Sequence, residues 1–129
     1  MSRPIPVWLV AVTATALAVA IWVLAVPVAG VDLEAGQPPL TIGLASVVIV
    51  AVIATLGGWA VRSLLRNRTP VAWWLTCGIV LLVSLLGPLG ATSAAARATL
   101  LTLHLVVGTV IAVGLDPRRA RVRAQVLAA

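Results

Sequence analysis

The chain has 129 residues, 62% of them hydrophobic and only 9% charged, with a net charge of +6 and a mean hydropathy of +1.18. Soluble domains are about a quarter charged, so this balance excludes a water-soluble fold. The charges are also clustered: none lies between Arg3 and Asp32, between Glu34 and Arg62, between Arg68 and Arg97, or between Arg97 and Asp116. Each gap holds about 18 apolar residues or more, enough to cross ~30 Å of hydrocarbon at 1.5 Å per residue.

The composition therefore predicts an all-α integral membrane protein, a four-helix up-down-up-down bundle in residues 1–117 with a basic tail at 118–129. The first span covers about 6–28. Its apolar stretch is longer than the core of a signal peptide and is preceded only by Arg3, so it reads as a retained helix. Pro27 and Gly30 end it, and the polar loop GVDLEAGQPP carries Asp32 and Glu34. The second span, about 40–61, stops at the basic connector RSLLRNRTP. Pro70 opens the third, about 71–86, at a position where its missing N–H costs nothing. Gly87, Pro88 and Gly90 break that helix, and the fourth, about 98–115, closes at Asp116 and Pro117. Short connectors make sequence neighbours antiparallel partners.

Orientation follows from arginine. Eight of the nine fall on one side (Arg3, Arg62, Arg66, Arg68, Arg118, Arg119, Arg121 and Arg123) and Arg97 alone on the other, beside Asp32 and Glu34. The excess of positive charge places both termini in the cytoplasm. Trp8, Trp59, Trp73 and Trp74 fall at the cytoplasmic helix ends and read as interfacial belt residues. Arg118, Arg119, Arg121 and Arg123 would meet anionic lipid headgroups at ~1 kcal/mol per charge, which makes a nucleic-acid partner superfluous. The all-arginine basic set and the abundance of Ala, Val and Leu point to high-GC coding and a bacterial plasma membrane.

Few residues bear chemistry. No Asp, Glu or Lys lies within a span, so a proton-coupled pathway through a membrane carboxylate has nothing to run on. Cys77 is the single cysteine, and with no C-x-x-C pair the chain offers neither an internal disulfide nor a zinc site. Neither a metal nor another cofactor is expected. What remains is His104, the only histidine, in the middle of LLTLHLVVG. Counting inward by helical rise puts it about 10 Å below the outer surface, at a depth matched by Ser84, Ser46 and Trp22 on the other three helices. These four residues form a candidate pocket in the outer leaflet. Alternatively, His104 bonds Ser84 or a backbone carbonyl and merely locks the third and fourth helices together. Ala54 and Gly58 on the second helix, and Gly108 and Ala112 following His104 on the fourth, are small residues suited to close helix packing.

The segments WWLTCGIVLLVSLLGPL and ATLLTLHLVVGTVIAVGL resemble small four-helix actinobacterial membrane proteins of the domain-of-unknown-function 6069 type. In that family a serine late in the third helix and a histidine in the fourth recur, matching Ser84 and His104. The resemblance implies the four-helix fold and a pairing of those two residues, and it implies no activity. Three functions stay open. Foremost is a non-enzymatic bundle that self-associates or serves as an accessory subunit of a membrane complex. The second is a binder or carrier of a small apolar molecule in the pocket around His104. The third is a membrane enzyme acting on a lipid-like substrate with His104 as base, a reading that lacks any acid to orient the ring.

Overall fold

A computed structural model describes residues 5–129, except for the side chains of residues 120, 123 and 124. Arg3 and the side chain of Arg123 thus lie outside the described residues. Four helices are long and apolar enough to cross a membrane: Val7–Val28, Leu44–Leu64, Pro70–Gly90 and Ala94–Arg119. They are regular over α1 (Val7–Val23), α2 (Leu44–Leu64), α3 (Pro70–Ser84) and α4 (Ala94–Gly114), and a shorter helix, α5 (Pro117–Ala128), follows. Only three residues of α1 are buried, Val10, Ala14 and Ala18, while Trp8, Leu9, Val12 and Leu17 point outward. Such a surface is ruinous in water and natural in hydrocarbon, where the outward residues meet lipid.

The helix ends follow from local chemistry. Pro27 has no N–H to give, and the chain passes through a wide π-helical turn over Leu24–Val28 in which Ala29 N–H reaches Leu24 O at 3.0 Å. Gly30 then takes φ +69, a left-handed value that glycine adopts freely. Between α1 and α2 the loop folds into a small hairpin, β1 (Glu34–Ala35) with β2 (Leu40–Thr41), a β element the all-α reading did not contain. Its Leu33 is 2% exposed and anchors the loop in the core. Gly36 N–H donates to Gly90 O and Thr92 N–H to Glu34 O, tying this hairpin to the α3–α4 connection. In α4 the Ser93 hydroxyl accepts from Ala96 N–H at 3.0 Å, so the helix starts at Ala94 rather than near 98. Arg97 is consequently an exposed residue of its first turn.

The helix at the centre is α4. Most of α1 packs on α2 and α4, α3 packs chiefly on α4, and α2 meets α4 more lightly. Close approach depends on glycine. A Cβ on Gly58 would sit 2.6 Å from Cγ2 of Ile111, and one on Gly108 would sit 2.8 Å from Cδ1 of Leu81. Gly58 and Gly108, noted on α2 and α4, are therefore used within the bundle. Two buried clusters result. One, at the hairpin end, gathers Ala18, Leu33, Val47, Ala96 and Leu100. The other gathers Val10, Trp73 and Leu115, with Val61 and Leu65 against them. Arg62, Arg66, Arg68, Arg118, Arg119 and Arg121 belong to the segments at this second end, and Arg97 to the hairpin end.

Candidate functional site

Sequence neighbours do not all pack side by side. The connector from Leu65 to Thr69 is short, yet α2 and α3 do not close on each other. The reason lies in what holds α3. Its one buried residue, Trp73, donates its indole N–H to Ala112 O at 3.1 Å, and its Leu81 fills the space left by Gly108. Both anchors are on α4. Trp73 is accordingly a core residue rather than the belt residue its position implied, whereas Trp8, Trp59 and Trp74 are exposed. Burial of an indole in an apolar layer demands a partner for its N–H, and the last turn of α4 supplies one.

Between α2 and α3 runs a groove of about 710 Å³, floored by α4 and touched by α1 only at Ala18. Its α2 wall extends from Ser46, beside Ile42 of the preceding loop, near the hairpin end to Gly58 and Val61 at the basic end. Trp73, Cys77, Val80 and Ser84 line the α3 wall, while Leu100, His104, Gly108 and Ile111 form the floor. Volumes of 300–1,000 Å³ are typical of small-molecule sites, which are mainly apolar with a few placed polar groups. This groove has that make-up.

Three of the four residues expected in one pocket, His104, Ser84 and Ser46, line the groove. Trp22 does not. Its half-buried ring packs against the hairpin-end cluster, and its N–H donates to Ile42 O at 3.1 Å. The cause is the position of α1, which lies across α2 and α4 away from α3 and turns its larger side chains elsewhere. His104 is the eleventh of the 21 residues of α4, so it sits near the helix midpoint, about 15 Å along from Ala94 and deeper than its expected place. The pairs Trp73–Ala112 and Leu81–Gly108 fix the register of α3 against α4 and bring Ser84 level with His104.

Level placement does not produce the expected bond between them. His104 Nδ1 lies 2.7 Å from Leu100 O, and the Ser84 hydroxyl donates to Leu81 O, also at 2.7 Å. A carbonyl three or four residues back on the same helix is always within reach, whatever the neighbouring helix offers. Because a carbonyl only accepts, Nδ1 carries the proton of this contact, and in the neutral form of the ring Nε2 is an acceptor for which no hydrogen bond is made among the described residues. Trp73, Thr76 and Cys77 are groove residues that sequence reasoning missed. Helical spacing from Ser84 back along α3 (Val80, Cys77, Trp73) is the signal that identifies them.

The chemistry available is limited. Among the described residues no group of three or more His, Cys, Asp or Glu side chains could hold a metal ion. His104 has a backbone carbonyl, not a carboxylate, on Nδ1, and no acid or second histidine lines the groove beside it. The arrangement suits binding better than bond breaking.

No curated protein and no solved structure matches the chain. A family model, described as a family of unknown function (DUF6069), matches residues 2–121, and it is to this family that the four-helix membrane chain belongs.

Proposed function

We propose that the protein is a non-catalytic binder of a membrane-soluble, mainly apolar molecule held in the groove between α2 and α3. The groove itself carries this reading, because an apolar channel interrupted by His104, Ser84 and Ser46 offers both a hydrocarbon surface and a few fixed polar contacts. Association with a second copy or a larger complex, the foremost reading of the sequence, draws no support from Gly58 and Gly108, which pack against Ile111 and Leu81 of the same chain. In this proposal the arginine-bearing end faces the cytoplasm of a bacterial plasma membrane. The exposed Arg118, Arg119 and Arg121, together with Arg123, meet anionic headgroups there.

The test uses a diazirine-tagged hexadecane chain in liposomes containing the full protein, with labelled positions mapped by mass spectrometry. Labelling concentrated on Val80, Leu103 and Val107, and reduced when Ala54→Phe fills the groove, is the expected result. Equal labelling over all outward-facing helical surfaces, indifferent to Ala54→Phe, removes the proposal.

A further inference from the structure

Three of the polar groups of the groove share a feature that their identities alone do not convey. Their protons are already used. The Ser84 hydroxyl donates to Leu81 O at 2.7 Å and the Thr76 hydroxyl to Ala72 O at 2.8 Å. His104 Nδ1 is committed to Leu100 O at 2.7 Å. All three residues line the groove, from α3 and α4, and what each has left is lone pairs: Nε2 of the imidazole in its neutral form, Oγ of Ser84 and Oγ1 of Thr76. Ser46, near the hairpin end of α2, is exposed and is the groove hydroxyl farthest from the helix midpoints. Halfway along α4 there is no bulk water to satisfy an acceptor, and a polar group without a partner is costly in such surroundings. An incoming molecule that carries only ether, ester or carbonyl oxygens sets acceptor against acceptor. One that carries an O–H fills the vacancy.

We propose that the groove selects apolar molecules bearing a hydroxyl (a long-chain alcohol, a phenol or a quinol) whose O–H donates to Nε2 of His104. Ser84, level with His104 on α3, accepts a second hydrogen bond where the molecule carries another donor. The corresponding ether, ester or quinone fits the same apolar walls and finds no O–H or N–H donor at the level of His104, the Cys77 thiol being a weak donor further along α3. This rests on the groove being a binding site, and it adds the chemical class of the ligand. It also gives the lone histidine a purpose that neither a leucine nor a second serine fulfils: a side chain whose own helix pins one nitrogen and leaves the other as an acceptor.

The experiment compares two photoactivatable probes, diazirine-tagged hexadecanol and its methyl ether, with the full chain in phosphatidylcholine–phosphatidylglycerol liposomes. Groove labelling by the alcohol should exceed that by the ether about three- to tenfold, the range set by one hydrogen bond inside a membrane protein. In His104→Leu the ratio should fall to about one-third or less of its wild-type value while ether labelling persists or rises, because the opposed acceptor is gone, and that persistence shows that the groove is intact. Competition on the wild-type chain gives the same answer without a variant: untagged hexadecanol displaces the tagged alcohol, and untagged hexadecyl methyl ether does so several-fold less well. Equal labelling by both probes, or a ratio that survives His104→Leu, overturns the donor requirement and leaves the groove as a site. Failure of both probes to concentrate in the groove, or a crosslink there to a second copy of the chain, overturns the binding reading and this inference together.

Discussion

Removal of a single N–H should loosen α3. The carbonyl of Ala112 has no backbone donor: Leu115 N–H goes to Ile111 O at 3.0 Å, Asp116 N–H goes to Val113 O at 3.4 Å, and Pro117 has none to give. Its partner is the indole of Trp73 at 3.1 Å, and Trp73 is 2% exposed. Trp73→Phe keeps an aromatic ring against Val10 and Leu115 but leaves that carbonyl unpaired. Hydrogen bonds between membrane helices average about 0.6 kcal/mol, because the unfolded segment usually finds another partner. Here the folded side pays more, since an unpaired buried acceptor costs about 1–3 kcal/mol and water is excluded from this cluster. The expected destabilisation is therefore about 1–2 kcal/mol, towards the upper part of the first range and the lower part of the second. Trp74→Phe, on an indole with 39% of its surface exposed, should cost under about 0.5 kcal/mol and serves as the control. Reversible unfolding in bicelles, followed by steric trapping, measures both. Should the two variants prove equally stable, the reasoning about the orphaned carbonyl is wrong.

Two further outcomes follow from the packing and the charge. Gly58→Ala forces a methyl to within 2.6 Å of Cγ2 of Ile111, and overpacking of this kind costs about 1–3 kcal/mol. Adding Ile111→Ala removes the obstacle, so the double variant should lose less stability than the sum of the single changes; strict additivity in a double-mutant cycle would refute the contact. Reporters placed after Ala129 and within residues 32–38 should signal opposite sides of the membrane, with the former cytoplasmic, as the arginine asymmetry requires. A tail found outside contradicts that orientation.

The spans could be read from the sequence because charge cannot be hidden in hydrocarbon. Gaps of charge-free sequence mark crossings whatever the packing. Helix starts were harder where a cap outweighs a charge: Arg97 reads as a boundary, yet Ser93 begins the helix earlier and carries Arg97 into its first turn. That shift of one turn is why His104 sits deeper than simple counting implied. The faces of the helices were not readable at all. With apolar residues on every side, α3 gives no sign that Trp73 turns inward and Trp74 outward, nor that α3 leans on α4 and away from α2. Counting by rise sets Ser84 level with His104, since depth depends only on residue number. It could not foresee that each side chain would bond to its own helix, because that competition is settled by rotamers.

The unequal burial of the helices has a thermodynamic consequence. Three residues of α1, three of α2 and four of α4 are buried, against one in α3. The helix with the fewest internal contacts is thus also a wall of the groove. If the groove binds as proposed, its occupant supplies α3 with the neighbour that α2 does not provide, and its binding free energy is added to the docking of the helix. By mass action a ligand at a hundred times its dissociation constant contributes about 2.7 kcal/mol, more than the Trp73 hydrogen bond is expected to. The stability of this chain is then partly a property of the surrounding bilayer. Detergents that strip apolar molecules should release α3 first, while α1, α2 and α4 remain assembled around Gly58, Ala14 and Ala18.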